Sequence, residues 1–387
     1  MTICKAHLTS SLLYLIIPPG QHRSVLMRRL SAALALSAAL AAPALAQEDV
    51  SDALEALREA NGLPALAGVA VSKDGGVIAR GAAGVTVLNG EDAATTEDAW
   101  HLGSLTKMMT AVLAARLVEQ GALDFDMTIG DVLGGRFEGM DPGWRDATLR
   151  QLITHRAGIR DVFGATPEWR AAFGAPLEAR EHREALARLA LEAAPRSAPG
   201  EEFGYSNGGY VIAGLMMKEL TGESWEALMA REVFEPLGLD SAGFGPPPVI
   251  RGHTMLGGPA PEDRADNPAA LGPAGTVHMS LEDYAAFIRM VLQAKDGESD
   301  YLSQQSMDYL LTPAEGEDYA LGWMVLEREW AGGPAYHHSG SNTMWFAVVW
   351  MAPDKDVAVI AATNSGAAAG PGAVDRALGP LLAVALE

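Results

Sequence analysis

Residues 104–120 read SLTKMMTAVLAARLVEQ, and the interpretation of the whole chain starts from this stretch. Its leucines, methionines and valines recur at helical spacing, and most of the positions between them are alanine. A helix that is apolar all round is a buried helix, so the serine and lysine at its start, Ser104 and Lys107, require an explanation. Their i, i+3 spacing puts both side chains on one face of the first turn.

A serine hydroxyl is a poor nucleophile until a base removes its proton. Lysine can be that base only when it is neutral, and neutralising an amine with a reference pKa near 10.4 costs about 4.6 kcal/mol at pH 7. Burial beside a helix N-terminus opposes the charged form of the amine. Ser104 and Lys107 therefore fit a nucleophile and its base. The alternative is a capping serine beside a lysine whose amine reaches the surface.

A second polar group of residues is Tyr205-Ser206-Asn207, which lies between Gly204 and Gly208. A tyrosine and an amide two residues apart in a tight turn can point into one cleft. Tyr205 can then relay a proton, and Asn207 can hold the lysine and a substrate amide. The alternative is an asparagine helix cap beside a packed tyrosine.

A third group is HHSGS at residues 337–341, just before a predicted strand at 343–351. A histidine beside a small residue and a glycine at a strand edge can reach a substrate that lies along the strand. Metal binding is the competing use of these histidines. Because the nine histidines of the chain lack H-E-x-x-H or similar spacing, we predict that no metal is bound.

Both ends of the chain carry strand patterns. Residues 66–72 and 76–88 are apolar and β-branched, and Asp74-Gly75 between them is typical of a hairpin turn. Strand patterns return at 319–328, 343–351 and 356–363, followed by a helical pattern at 371–385. The middle of the chain shows helical periodicity over seven stretches, at 104–120, 147–154, 178–194, 207–220, 224–235, 280–294 and 303–312.

This order predicts an α/β fold with an all-α lobe. An antiparallel sheet built from both chain ends and flanked by helices forms one lobe (47–120 and 313–387), and a mostly helical lobe (121–312) is inserted into it. Segment 242–275 is rich in glycine and proline, which favours a lid or binding loop, with a flexible surface excursion as the alternative.

The first 46 residues are interpreted as a targeting segment. A basic start at Met27-Arg28-Arg29, an apolar run from Leu30 and the small residues PALA at 43–46 are the parts of a secretory signal. We predict cleavage after Ala46 and a periplasmic or secreted protein without stable membrane insertion; an uncleaved membrane anchor is the alternative. Residues 1–26 precede a better start at Met27 and are interpreted as an over-extended gene start.

Composition excludes some partners. The chain of 387 residues has 28 lysines and arginines against 49 acidic residues, a net charge of −21. So acidic a protein has no broad basic face for a phosphate backbone, and we predict no nucleic-acid partner. Because the single cysteine, Cys4, lies in the predicted signal, no disulfide is expected. No feature of the sequence indicates an oligomeric state.

Taken together, the order Ser104-x-x-Lys107, Tyr205-x-Asn207 and His338-Ser339-Gly340 resembles the serine β-lactamase and penicillin-binding-protein superfamily. The resemblance is strongest to its class C-like branch, with related esterases and peptidases, and covers residues 52–387. Further stretches match in the same order: LITHRAG at 152–158, PLGL at 236–239, AG at 274–275 and SLED at 280–283.

The resemblance implies a β-lactamase/transpeptidase-like fold and assigns roles. Ser104 would be the acylated nucleophile, Lys107 its general base, and Tyr205 a partner in proton transfer. Five residues would bind substrate. They are Asn207, the third motif His338, Ser339 and Gly340, and the next residue, Ser341. The backbone N–H groups of Ser104 and Ser341 would form the oxyanion hole. Thr154 and His155 are interpreted as structural, and no cofactor is expected.

His338 departs from the lysine that is usual in β-lactamases. A histidine with a reference pKa near 6.5 is mostly neutral at pH 7 and offers little attraction to a penicillin carboxylate. A Gly-rich continuation common in the family is also missing after Gly340. We therefore expect an ester or a peptide, of the D-amino acid or cell-wall type, as substrate rather than a β-lactam. A class C-type β-lactamase and a non-catalytic penicillin-binding-like binder or sensor are the alternatives.

The stretch around Tyr205-Ser206-Asn207 also fits another hydrolase motif. Residues 204–208 read GYSNG and match G-x-S-x-G, the nucleophile elbow of α/β-hydrolases. That elbow needs a buried strand immediately before it. Residues 194–200 are interrupted by proline and glycine, which disfavours such a strand and a nucleophilic role for Ser206.

Overall fold

The main sheet of the protein is built from both ends of the chain. The computed structural model describes residues 47–159, 167 and 181–387, and residues 47–387 form one compact unit. Strands among the described residues are β1 (Glu48–Asp49), β2 (Ala65–Ser72), β3 (Gly76–Gly84), β4 (Trp100–His101), β5 (Gly243–Phe244), β6 (Val277–Met279), β7 (Met324–Arg328), β8 (Gly333–Ser341), β9 (Phe346–Ala352) and β10 (Val357–Thr363).

Seven of these strands form one sheet in the order β1-β3-β2-β10-β9-β8-β7, and β4-β6-β5 form a small second sheet. All pairs in the main sheet are antiparallel except β1 with β3. The hairpin predicted around Asp74-Gly75 is present, with the Ser72 hydroxyl accepting a hydrogen bond from Gly75 N–H at 2.9 Å. The C-terminal strand β10 lies at the centre and joins the two ends of the chain by pairing with β2 and β9.

Two predicted strands are displaced and five strands were missed. The strand predicted at 319–328 begins only at Met324, and the one predicted at 343–351 is β9, which begins at Phe346. The missed strands are the short β1, β4, β5 and β6 and the longer β8, so residues 337–341 lie on a strand rather than before one. Glycine, proline and serine are frequent in β8 and have low strand propensity. Its conformation is set by pairing with β7 and β9.

Helices cover the middle of the chain, as predicted. They are α1 (Ser51–Asn61), α2 (Thr106–Glu119), α3 (Ile129–Leu133), α4 (Leu149–Ile153), α5 (Glu181–Glu192), α6 (Asn207–Thr221), α7 (Trp225–Met229), α8 (Glu235–Leu237), α9 (Gly272–Gly275), α10 (Leu281–Lys295), α11 (Gln304–Leu311) and α12 (Gly370–Ala385). Side-chain caps at Thr128, Thr148, Ser280 and Ser303 begin α3, α4, α10 and α11. These hydroxyls bond backbone N–H groups that the first helical turn leaves unpaired.

The helix predicted at 224–235 is interrupted. Residues 230–234 form a π-turn between α7 and α8. Pro236 follows it, and proline lacks the N–H that a continuous α-helix requires. Residues 178–180 of another predicted helix lie outside the described residues. Among the described residues, no helix combines the length and the apolar character needed to cross a membrane.

Two apolar layers cover the sheet. The larger core packs α2 and the helical lobe against one face. On the other face, α1 and α12 bury Leu54, Val374 and Leu381 against strand residues that include Val359. Leu381 fills the space over Gly68, where a Cβ would lie 2.7 Å from Leu381 Cδ1. A sheet built from both chain ends and flanked by helices agrees with the predicted fold class.

We expect Leu381→Ala to lower the free energy of unfolding by about 2–5 kcal/mol, because it opens a cavity between α12 and the sheet. Urea denaturation followed by circular dichroism measures the change. Leu386→Ala, at an exposed position after the same helix, is the control and should change stability by less than about 0.5 kcal/mol. Equal losses in the two variants would contradict this packing.

Candidate active site

Ser104 is presented by a tight turn that leads into the buried helix α2. Residues Gly103–Leu105 form one 3₁₀ turn, and Gly103 has a φ of +52°, which favours glycine. A Cβ at Gly103 would lie 2.4 Å from the backbone nitrogen of Ser341, so the glycine also allows β8 to approach. The turn that carries Ser104 therefore lies against the end of β8 that carries the third motif.

Lys107 is fully buried, with 0% exposure. Its Nζ lies 3.0 Å from Ser104 Oγ, 2.9 Å from Asn207 Oδ1 and 2.6 Å from the carbonyl oxygen of Ala274. A neutral amine can donate to the last two oxygens while its lone pair accepts the serine proton. The alternative of a lysine reaching the surface is wrong, because this side chain points into the protein.

Tyr205 contacts both Ser104 and Lys107, and Asn207 contacts Lys107. The Tyr205 hydroxyl donates to Ser104 Oγ at 2.9 Å, and its ring centroid is 5.0 Å from Lys107 Nζ. Helix α6 begins at Asn207, with Ser206 before it, so the asparagine is not the cap residue. Tyr205 is 41% exposed rather than packed away. The structure thus brings the pair Ser104 and Lys107 together with the pair Tyr205 and Asn207, about 100 residues away in the sequence.

Ser206 does not have the setting of a nucleophile elbow. Loop residues rather than a strand precede it. Its side chain is buried, and its N–H donates to Nδ1 of His155 at 3.1 Å. The structure therefore gives Ser206 a packing role beside the site.

Strand β8 places the third motif against the serine turn. A Cβ at Gly340 would lie 2.7 Å from the backbone nitrogen of Ser104, so only a glycine fits at this crossing. The two backbone N–H groups predicted for an oxyanion hole, of Ser104 and Ser341, are therefore on segments in direct contact. Ser339 lines a neighbouring cavity.

His338, the first residue of the third motif, is buried. Its Nε2 lies 3.1 Å from the Tyr319 hydroxyl, and its Nδ1 lies 2.7 Å from the carbonyl oxygen of Ser339. Burial, together with the nearby Lys107 amine, lowers the pKa of His338 to about 3. The imidazole is therefore neutral well below pH 7 and offers no positive charge to a substrate.

Two residues that the sequence did not assign to the site, His155 and Tyr319, pack beside Tyr205. The ring of His155 lies 4.3 Å from the ring of Tyr205 and 4.9 Å from that of Tyr319, measured between centroids. Burial lowers the pKa of His155 well below its usual value, with further contributions from Lys107 and His338. The matching LITHRAG segment was a usable signal for His155. No sequence pattern marked Tyr319.

A cavity of about 490 Å³ opens beside Tyr205 and Ser339. Its wall contains aromatic rings, acidic side chains and a methionine, including Phe203, Tyr205, Tyr319, Glu317, Asp318 and Met324. None of the described residues lining it is a lysine or arginine. The described residues also contain no cluster of three histidine, cysteine or acidic side chains that could hold a metal.

A family model described as Beta-lactamase matches residues 50–383. Penicillin-binding protein 4 of Amycolatopsis lactamdurans is 28% identical over 344 residues, which cover 81% of this chain and 84% of that protein. A D-aminopeptidase of Brucella anthropi is 27% identical over 305 residues, or 76% of this chain. The chain spans 55% of the length of that relative.

Solved structures share the architecture. The octameric penicillin-binding protein homologue from Pyrococcus abyssi superposes with a TM-score of 0.70 at 24% identity, over 86% of this chain and 77% of that chain. This likeness confirms the predicted fold class. The family match confirms the resemblance derived from the motifs.

We expect Tyr205→Phe to slow the reaction of Ser104 with a fluorophosphonate by about 10²-fold, because the phenol no longer exchanges a proton with the serine. Intact-mass spectrometry over time measures the rate of adduct formation. The matched control is Tyr210→Phe, since the Tyr210 hydroxyl donates to the carbonyl of Ile153 instead. The control should label within about 3-fold of the unchanged rate. Equal rates for the Tyr205 variant and the unchanged protein would contradict a role of this phenol in proton transfer.

Proposed function

The chain belongs to the β-lactamase family and is a hydrolase, and we propose that it acts through an acyl-enzyme on Ser104. The observation that carries this proposal is the hydrogen-bond distance from Ser104 Oγ to both Lys107 Nζ and the Tyr205 hydroxyl. A nucleophile, a base and a second proton carrier in mutual contact are the parts that acyl transfer requires.

In the proposed first step, the lone pair of Lys107 Nζ accepts the hydroxyl proton as Ser104 Oγ bonds to the substrate carbonyl carbon. The carbonyl π electrons move to oxygen and form a tetrahedral oxyanion. Backbone N–H groups of Ser104 and Ser341 stabilise this oxyanion, which is a role typically worth about 3–4 kcal/mol per donor. Asn207 and the Ala274 carbonyl keep the amine oriented toward the serine.

Collapse of the intermediate breaks the bond to the leaving group and restores the carbonyl. Tyr205 lies on the exposed side of Ser104 and delivers its hydroxyl proton to the leaving oxygen or nitrogen. Lys107 then passes to Tyr205 the proton that it took from Ser104. A water molecule then attacks the acyl-enzyme and gives its proton to the same pair of residues. The bond between the acyl carbon and Ser104 Oγ then breaks, the same pair of residues returns the proton to Oγ, and the acid product leaves.

The electrostatics of the site favour an ester or a peptide over a β-lactam. Neutral His338 provides no cation for a substrate carboxylate, and the described lining of the cavity carries two acidic side chains but no basic one. Relatives named as a penicillin-binding protein and a D-aminopeptidase support a peptide of D-amino acids as the substrate class. We also propose export to the periplasm or outside the cell after removal of residues 1–46.

The cavity further suggests the charge of the group that it binds. Glu317 pairs with Arg156, whereas Asp318 is exposed at the cavity wall. A carboxylate beside aromatic faces is suited to an ammonium group. We therefore propose that the preferred substrate presents a free amino group or another cationic group toward Asp318.

We expect a higher kcat/KM for p-nitrophenyl butyrate than for nitrocefin. Because the pKa of His338 is about 3, the histidine stays neutral as the pH falls from 7 to 5. The relative rate for nitrocefin should then not rise over this range, as it would if a histidine of ordinary pKa gained a charge. Steady-state kinetics at both pH values measure the ratio. A faster nitrocefin reaction would favour the β-lactamase alternative, and no adduct with a fluorophosphonate or a penicillin would favour a non-catalytic binder.

We expect Asp318→Asn to lower the preference for D-alanine p-nitroanilide over its N-acetylated form by about 3-fold, the effect of losing one exposed charge pair of up to about 1 kcal/mol. The ratio of the two kcat/KM values measures the preference. Glu315→Gln removes a nearby exposed charge that does not line the cavity, so it is the matched control. Identical ratios for both variants would contradict ammonium binding at Asp318.

A further inference from the structure

Asp266 is a buried carboxylate that none of the proposed chemical steps uses. It lies in segment 242–275, and its side chain is only 5% exposed. One oxygen, Oδ1, accepts hydrogen bonds from the backbone nitrogen of Asn267 at 2.6 Å and from Nδ2 of Asn342 at 3.1 Å, and Nε2 of His101 lies 2.5 Å from it as a close polar contact. A buried carboxylate is tolerated only when donors compensate its lost hydration, and each of these three groups leads to the active site.

The first contact leads to the nucleophile. Nδ1 of His101 accepts a hydrogen bond from Gly103 N–H at 3.0 Å. In a neutral imidazole, the proton is then on Nε2, which faces Asp266. This tautomer binds Gly103, the residue directly before Ser104, and places the other ring nitrogen against the carboxylate of Asp266. His101 is itself buried, so its ring nitrogens face protein groups rather than water.

The second contact leads to the other predicted oxyanion donor. Asn342 follows Ser341 at the end of β8 and is buried. Its Nδ2 donates to Asp266, while its Oδ1 accepts from Met344 N–H at 3.2 Å. Both ends of this amide are thus occupied, which fixes the chain direction where Ser341 N–H must point into the site.

The third contact leads to the base. Asn267, whose N–H donates to Asp266, uses its side-chain Nδ2 to donate to the Gly275 carbonyl at 2.8 Å. The preceding carbonyl, of Ala274, accepts from Lys107 Nζ. The dipeptide Asp266-Asn267 therefore contacts the segments that carry both oxyanion donors and the acceptor of the lysine.

We propose that Asp266 is a positioning residue that holds the N–H groups of Ser104 and Ser341 at the spacing of an oxyanion hole. This inference rests on the proposed acyl-enzyme function. Asp266 acts through His101 and Asn342 and does not touch substrate. The part of segment 242–275 that contains it is accordingly a buried support of the site rather than a lid.

The test compares Asp266→Asn with Asp263→Asn, a substitution of an exposed carboxylate in the same segment whose side chain is 76% exposed. The Asp266 variant nearly keeps the shape of the side chain but loses the charge that binds His101 and Asn342. We expect its kcat for p-nitrophenyl butyrate to fall about 10–100-fold with KM changed by less than about 3-fold, because misplaced donors affect mainly the transition state. The Asp263 variant should match the unchanged protein.

A second readout separates positioning from folding. Phenylboronic acid forms a tetrahedral adduct with an active-site serine and places an oxygen where the oxyanion would lie, so its inhibition constant should rise by the same factor as kcat falls. Fluorophosphonate titration gives the fraction of folded, reactive sites for each variant. Asn342→Ala removes the link from Asp266 to β8, together with the bond from Met344 N–H, and should produce the same paired changes at about 3–10-fold.

The outcomes are distinct. Loss of activity explained entirely by fewer titratable sites, with unchanged affinity for the boronic acid, would make Asp266 merely structural and overturn the inference. So would an Asp266 variant as active as the unchanged protein, and in that case the proposed function stands. A failure of the unchanged protein to form any adduct at Ser104 would refute the proposed function and this inference together.

Discussion

The burial of the Lys107 amine one helical turn from the Ser104 hydroxyl is the constraint on which the site depends. A buried amine is tolerated only where hydrogen bonds replace its water. Asn207 at the start of α6 and the Ala274 carbonyl in α9 supply these bonds. Two helices of the helical lobe must therefore close on α2. The packing of α6 and α9 against α2 therefore both completes the core and orients the Lys107 amine.

Close approach of two backbones is the second element of the site. Gly103 and Gly340 lack the Cβ atoms that would separate the serine turn from β8. Strand β9 pairs with residues 336–341 of β8, whereas β7 pairs only with residues 333–337, so it is β9 that holds the backbone facing Ser104. A sheet strand can therefore offer fixed N–H groups that need no reorganisation during a reaction. Asp266 ties the same two segments together from behind, through His101 and Asn342.

The electrical character of the site follows from burial as much as from residue type. His338 replaces a lysine that would carry a permanent charge, and its burial close to Lys107 keeps it neutral. The neighbouring cavity adds acidic groups, in a protein with a net charge of −21. We therefore propose that substrate groups of negative charge are disfavoured, in contrast to enzymes that bind the carboxylate of a β-lactam.

The sequence alone determined the polar pairs and the overall architecture. The spacing from Ser104 to Lys107 and from Tyr205 to Asn207 is local, and the apolar periods at both chain ends marked most of the sheet. Tertiary structure decided what depends on distant contacts: the strand β8, whose residues have low strand propensity, the aromatic support by His155 and Tyr319, and the links of Asp266. The hydrophobic periodicity that predicts a helix or a strand depends only on residues close together in the sequence. Burial and hydrogen bonding between residues far apart in the chain exist only once the whole core has closed.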